Sequence, residues 1–88
     1  MNRFEAHDLA LARRMELTER IQRFIDGVDV SVESVALIEA GLDDAFPDNE
    51  WIADKVLMLA NYRPGGGDLL HDEGQVRAEL VKVLPRLR

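Results

Sequence analysis

The chain predicts an all-α fold, a small antiparallel four-helix bundle, and three observations carry that prediction. Apolar residues recur at helical spacing in four separate segments. No segment alternates apolar and polar residues as a half-buried strand does. The breaks between segments carry Gly, Pro or a Ser/Asp cap. Eighty-eight residues, 47% hydrophobic and 32% charged, make one globular domain over 1–88 with a single modest core.

The first segment, from Phe4 to Ile25, contains two apolar faces. Phe4, Leu11 and Met15 share one, while Leu17, Ile21, Phe24 and Ile25 share another, rotated by roughly a third of a turn on a 100° wheel. A straight helix cannot bury both against one neighbour, so a bend or break is expected between Met15 and Thr18. Thr18 would then cap a second piece, giving five helices, and Gly27 would end it in the left-handed conformation. In the second segment Ser31 is the expected N-cap, Val35, Ile38, Leu42 and Phe46 form the stripe, and Pro47 stops the helix. Its other side carries Glu33, Glu39, Asp43 and Asp44.

The third segment opens with Asp48 as the expected cap and Glu50 in the first turn, where the helix dipole favours an acid. Ile52, Val56 and Leu59, with Ala53 and Ala60, form the expected inward arc. Trp51, Met58 and Tyr62 lie on a different line of that helix, either covered by the N-terminal segment or exposed for contact. Three consecutive glycines, Gly65 to Gly67, then connect to a last helix. Asp72 and Gln75 have the spacing of a capping box there, and Val76, Leu80, Val83, Leu84 and Leu87 make the stripe, with fraying expected at Pro85. The glycines read as a flexible connection that turns at Pro64 and lets Leu69 or Leu70 tuck onto the bundle.

Charge is distributed unevenly. The net charge is -6, and from Ile25 to Asp54 there are nine acids and no Lys or Arg, whereas the first 24 residues carry five basic and four acidic side chains. A region of one sign disfavours direct nucleic-acid binding, which needs cations to displace counterions, and favours a basic partner. Ordinary surfaces mix signs, so the acids are either a solvated exterior or a binding face. As a face, Asp43, Asp44, Asp48, Glu50 and Asp54 would supply charge, with Trp51 and Tyr62 supplying apolar contact area.

Other chemistries find little footing. The glycine run follows a helix rather than a strand, lacks the spacing of a nucleotide fingerprint and is followed by Asp68, so nucleotide binding is not expected. His71 with Asp68, Asp72 and Glu73 lacks the alternate spacing of a hard-cation loop, and His7 is distant in sequence. No metal and no cofactor are therefore expected, with Asp72 a cap and His71 a solvent-facing loop residue. Neither histidine has an evident nucleophile to activate, so no enzyme activity is expected. With no cysteine there is no disulfide framework. The N-terminal stretch has no uninterrupted apolar run of signal-peptide length and no later stretch is long enough to span a bilayer, from which no membrane association and a cytoplasmic location are expected.

The tail LANYRPGGGDLLHDEGQVRAELVKVLPRL resembles the C-terminal part of the colicin D immunity-type proteins, small bacterial helical bundles. The matching features are Tyr62, the linker from Arg63 to Leu70, the acidic pair Asp72 and Glu73, and Val76, Leu80, Val83 and Leu84. The resemblance covers roughly the last third of the chain and carries no inhibitory motif that would assign particular contact residues. It implies a cytoplasmic protein that binds the catalytic domain of a basic nuclease toxin, its acids standing in for RNA phosphates. The competing expectation is a structural or regulatory module, such as a homodimer joined through Trp51, Met58 and Tyr62.

Overall fold

In the computed structural model residues 3–87 are described, with side chains from Asp8 onward, so the side chains of Phe4 and His7 lie outside the described residues. Helices α1 (Arg3–Ile25), α2 (Val32–Ala45), α3 (Glu50–Ala60) and α4 (Glu73–Val83) follow in order, and a 3-10 turn over Leu84–Leu87 closes the chain. The architecture is the all-helical bundle that the periodicity predicts.

Helix α1 does not break. The stretch from Leu11 to Ile21 has neither Gly nor Pro and is rich in strong helix formers. Thr18, expected as a cap, instead donates its hydroxyl to the Arg14 carbonyl at 2.8 Å, and Arg20 bonds Glu16 one turn back at 2.8 Å. The conflict between the two apolar faces is settled by leaving one of them out: Leu17, Ile21 and Phe24 are buried, whereas Leu11 and Met15 are 50% and 64% exposed. Gly27, at φ 75°, ends the helix with the Val28 N–H donating to the Arg23 carbonyl.

Ser31 caps α2 as expected, accepting from the Ser34 N–H at 3.1 Å, and Val35, Ile38 and Leu42 are buried. The cap of α3 is Asn49, not Asp48: the Asn49 side chain accepts from the Ile52 N–H at 3.0 Å, leaving Asp48 exposed in the turn after Pro47. The inward arc of α3 is also rotated by roughly a quarter turn from the expected one. Ile52, Leu59 and Tyr62 are buried and Trp51, Val56 and Met58 half-buried, but Ala53 and Ala60 face solvent. Large side chains remove more apolar area from water than alanines do, and the helix turns to bury them.

The glycine segment is tied by hydrogen bonds at both of its ends. Arg63 N–H donates to the His71 carbonyl and His71 N–H to the Asn61 carbonyl, Gly66 N–H reaches Arg63, Leu70 N–H reaches Gly67, and Gly65 N–H donates to Glu73 Oε1 at 2.6 Å. Gly66 takes φ 74°, and a Cβ there would sit 3.2 Å from that of Asp72, so the close approach of the loop to the start of α4 requires glycine. Leu69 stands at φ 62° and is 97% exposed, so only Leu70 is partly covered. Helix α4 opens with the expected capping box between Asp72 and Gln75, and Pro85 lies in the tightened 3-10 turn that holds Leu84 and Leu87 in the core.

Candidate functional site

The acids of the candidate face gather where α2 passes into α3. Asp43 and Asp44 stand in the last turn of α2, Asp48 in the connection, and Glu50 and Asp54 one turn apart on α3; all five are exposed. Among the described residues Asp43, Asp48, Glu50 and Asp54 enter no ion pair. Asp44 lies 3.9 Å from Arg13 Nη1, both side chains about two-thirds exposed. An ion pair that open to water contributes little to stability and leaves the carboxylate accessible.

The two aromatic residues placed on this face have different fates. Tyr62 is a core residue, 7% exposed, edge-on to Phe24 with ring centroids 5.3 Å apart, and its hydroxyl donates to the Val30 carbonyl at 2.5 Å. That bond ties the end of α3 to the segment before α2, so Tyr62 has no surface to offer a partner. Trp51 is half-buried against the core. Its ring is not surrounded by acids alone: the Arg86 guanidinium lies 3.9 Å and the Lys55 ammonium 4.8 Å from its centroid. Lys55 also bonds Glu79 of α4 at 2.5 Å, and that bond holds the Glu79 carboxyl below its ordinary range. Met58 also packs partly on the core, so of Trp51, Met58 and Tyr62 the first two keep some exposed surface and Tyr62 is in the core.

Two of the nine acids in the single-sign stretch are not freely solvated. Asp29 accepts from the backbone and hydroxyl of Ser31 at 3.1 and 2.7 Å, and those hydrogen bonds lower its pKa. Glu39 is half-buried on α2 with Oε1 lacking any protein partner; burial, and secondarily the Asp43 carboxylate, raises its pKa. A carboxylate drawn partly out of water next to a like charge is a cost that solvated acids do not carry.

Sequence reasoning missed the cations that neighbouring elements bring to the acidic stretch. Arg14 stacks over Phe46 at 5.2 Å, Arg13 reaches Asp44, and Arg86 covers Trp51. No local pattern announces them, because they come from α1 and from the end of the chain. Also missed was an open groove between the N-terminal half of α1 and α2, bordered by the exposed Leu9, Leu11 and Leu37.

His71 is half-buried, with its backbone committed to the loop, rather than solvent-facing. Among the described residues no three His, Cys, Asp or Glu side chains come together to hold a metal ion. None of the described helices is long and apolar enough to cross a membrane. No protein-family model, curated protein or solved structure matches the chain.

Proposed function

We propose that the chain is an immunity-like protein that binds a basic protein, a nuclease toxin domain, through the acidic corner between α2 and α3 and blocks its substrate cleft. The supporting observation is that Asp43, Asp48, Glu50 and Asp54 are exposed and enter no ion pair among the described residues. Four unpaired carboxylates in twelve residues create a local negative potential suited to occupying a site made for phosphates. Trp51 would contribute its exposed edge; Tyr62 acts behind the face by fixing the end of α3.

The test needs a basic nuclease toxin domain as probe, sought among the reading frames that neighbour this gene; if none of their products binds the chain, the proposal fails. Association measured by stopped flow should slow steeply with salt, and Asp48→Lys with Glu50→Lys should slow it by about tenfold or more. Glu33→Lys is the control. It lies at the opposite end of α2, about 15–20 Å away by helical rise, and should have little effect. Rates indifferent to salt, or equally sensitive to all three substitutions, would sink the proposal. A second reading, a helical module that acts by self-association, draws on the exposed apolar groove beside α1.

A further inference from the structure

We infer that the chain pairs with a second copy of itself through the groove between the N-terminal half of α1 and α2. The described part of that half is unlike the rest of the bundle: every side chain from Asp8 to Glu16 is exposed, whereas Leu17, Ile21 and Phe24 below it are buried. Leu9 and Leu11 thus line the groove beside α2 while exposed to water, and Met15 is exposed outside it. Helical stretches of this length gain most of their stability from packing, so a half-covered one is a candidate for further cover.

The groove suits a helix. Leu9, Leu37, Ala40 and Gly41 give it an apolar lining. At Gly41 the two helices already approach so closely that a Cβ would lie 2.8 Å from Leu17 Cδ1. Leu17 thus fills the base of the groove at Gly41, and the exposed Leu37 and Ala40 beside it are the apolar area left for another helix to cover.

The walls select the occupant. Arg13, Arg14, Glu16 and Arg20 line the α1 side, Arg20 already paired with Glu16, and Asp44 lines the α2 side. A purely basic helix would meet Arg13 and Arg14, and a purely acidic one would meet Asp44. A helix bearing apolar residues together with charges of both signs is present in this chain, namely α1. In a two-fold pair the same patch serves both copies, so it must be self-complementary. The groove meets that condition when Arg13 of each copy approaches Asp44 of the other, with Leu9 and Leu37 against their counterparts. The 3.9 Å spacing of Arg13 and Asp44 within one copy leaves both free to change partner.

This inference concerns the isolated chain and is tested without any toxin, so its failure is separable from failure of the acidic-corner reading. Sedimentation velocity from about 1 to about 500 µM should show a monomer–dimer equilibrium. Leu37→Glu, at a half-exposed position, should weaken it at least about tenfold while circular dichroism stays unchanged. Arg13→Asp and Asp44→Arg should each be monomeric alone, because each homodimer would oppose like charges. Mixed one to one they should dimerise, since every cross-contact is then between opposite charges. A wild-type chain that stays monomeric to the highest concentration would overturn the inference. So would a Leu37→Glu dimer of undiminished strength, or a mixture that remains monomeric.

Discussion

Replacing Leu69 with glycine should make the protein more stable, although it removes a large apolar side chain. Leu69 sits at φ 62° and is 97% exposed. Its burial contribution is therefore close to nil, while the left-handed backbone costs an L-residue about 1–2 kcal/mol. Glycine removes that cost but gives the unfolded chain more freedom, offsetting about 0.5–1 kcal/mol. The net gain is about 0.5–1 kcal/mol, or roughly 2–8 °C in Tm for a domain of this size. Leu69→Ala is the matched control: it loses the same side chain and retains the strained φ, so it should stay near wild type. Urea unfolding of the three proteins, read by circular dichroism with equal m-values, measures the differences. If Leu69→Gly is no more stable than Leu69→Ala, the strain assigned to this position is wrong.

The cap assignment separates two adjacent residues: Asn49→Ala should cost about 1 kcal/mol in chemical denaturation, and Asp48→Ala should cost nearly nothing. Equal effects would return the cap to Asp48. Glu39 sets a pH dependence of defined sign. Its folded pKa is raised by burial, so the folded state holds the proton more tightly than the unfolded state, and the penalty from Glu39 grows as pH rises from about 4.5 through the raised value. Glu39→Gln should therefore stabilise the protein at pH 7, by up to about 1 kcal/mol, and have less effect at pH 4. A stability difference that does not vary with pH would refute that account.

Most local signals were legible in the sequence, the caps expected at Thr18 and Asp48 excepted. The Ser31 cap, the Pro47 stop, the Gly27 terminus and the capping box of Asp72 and Gln75 each depend on residues within one turn of one another, and all four stand as expected. Signals that depend on what lies opposite were misread. The two faces of α1 are both present in the sequence, but whether the helix bends or leaves one face bare depends on the length of its neighbours. The orientation of α3 was misjudged for a related reason: Ala53 and Ala60 fit an apolar wheel, yet Trp51 and Tyr62 lose more by exposure and took the inward side. Glycines in sequence suggest freedom, but the hydrogen bonds of Gly65, Gly66 and Glu73 use that freedom to hold one conformation.

The acidic stretch combines both situations and limits how a partner can use it. Along the chain it is a run of one sign; in space, α1 and the closing 3-10 turn bring cations to its margins, and Lys55 of α3 adds another. Arg13 meets Asp44 on one side, while Lys55 and Arg86 meet Trp51 on the other. Asp29 is committed to Ser31 and Glu39 is half-buried, which removes two more acids from any contact surface. Asp26 and Glu33 stand at the other end of α2, so the exposed acids that enter no ion pair among the described residues at the α2–α3 end are Asp43, Asp48, Glu50 and Asp54, with cations at their margins. A basic partner that seats there must do so in one register, because displacement to either side brings it against Arg13 or Arg86. The same cations that weaken the overall negative field therefore sharpen where on the surface it can be used.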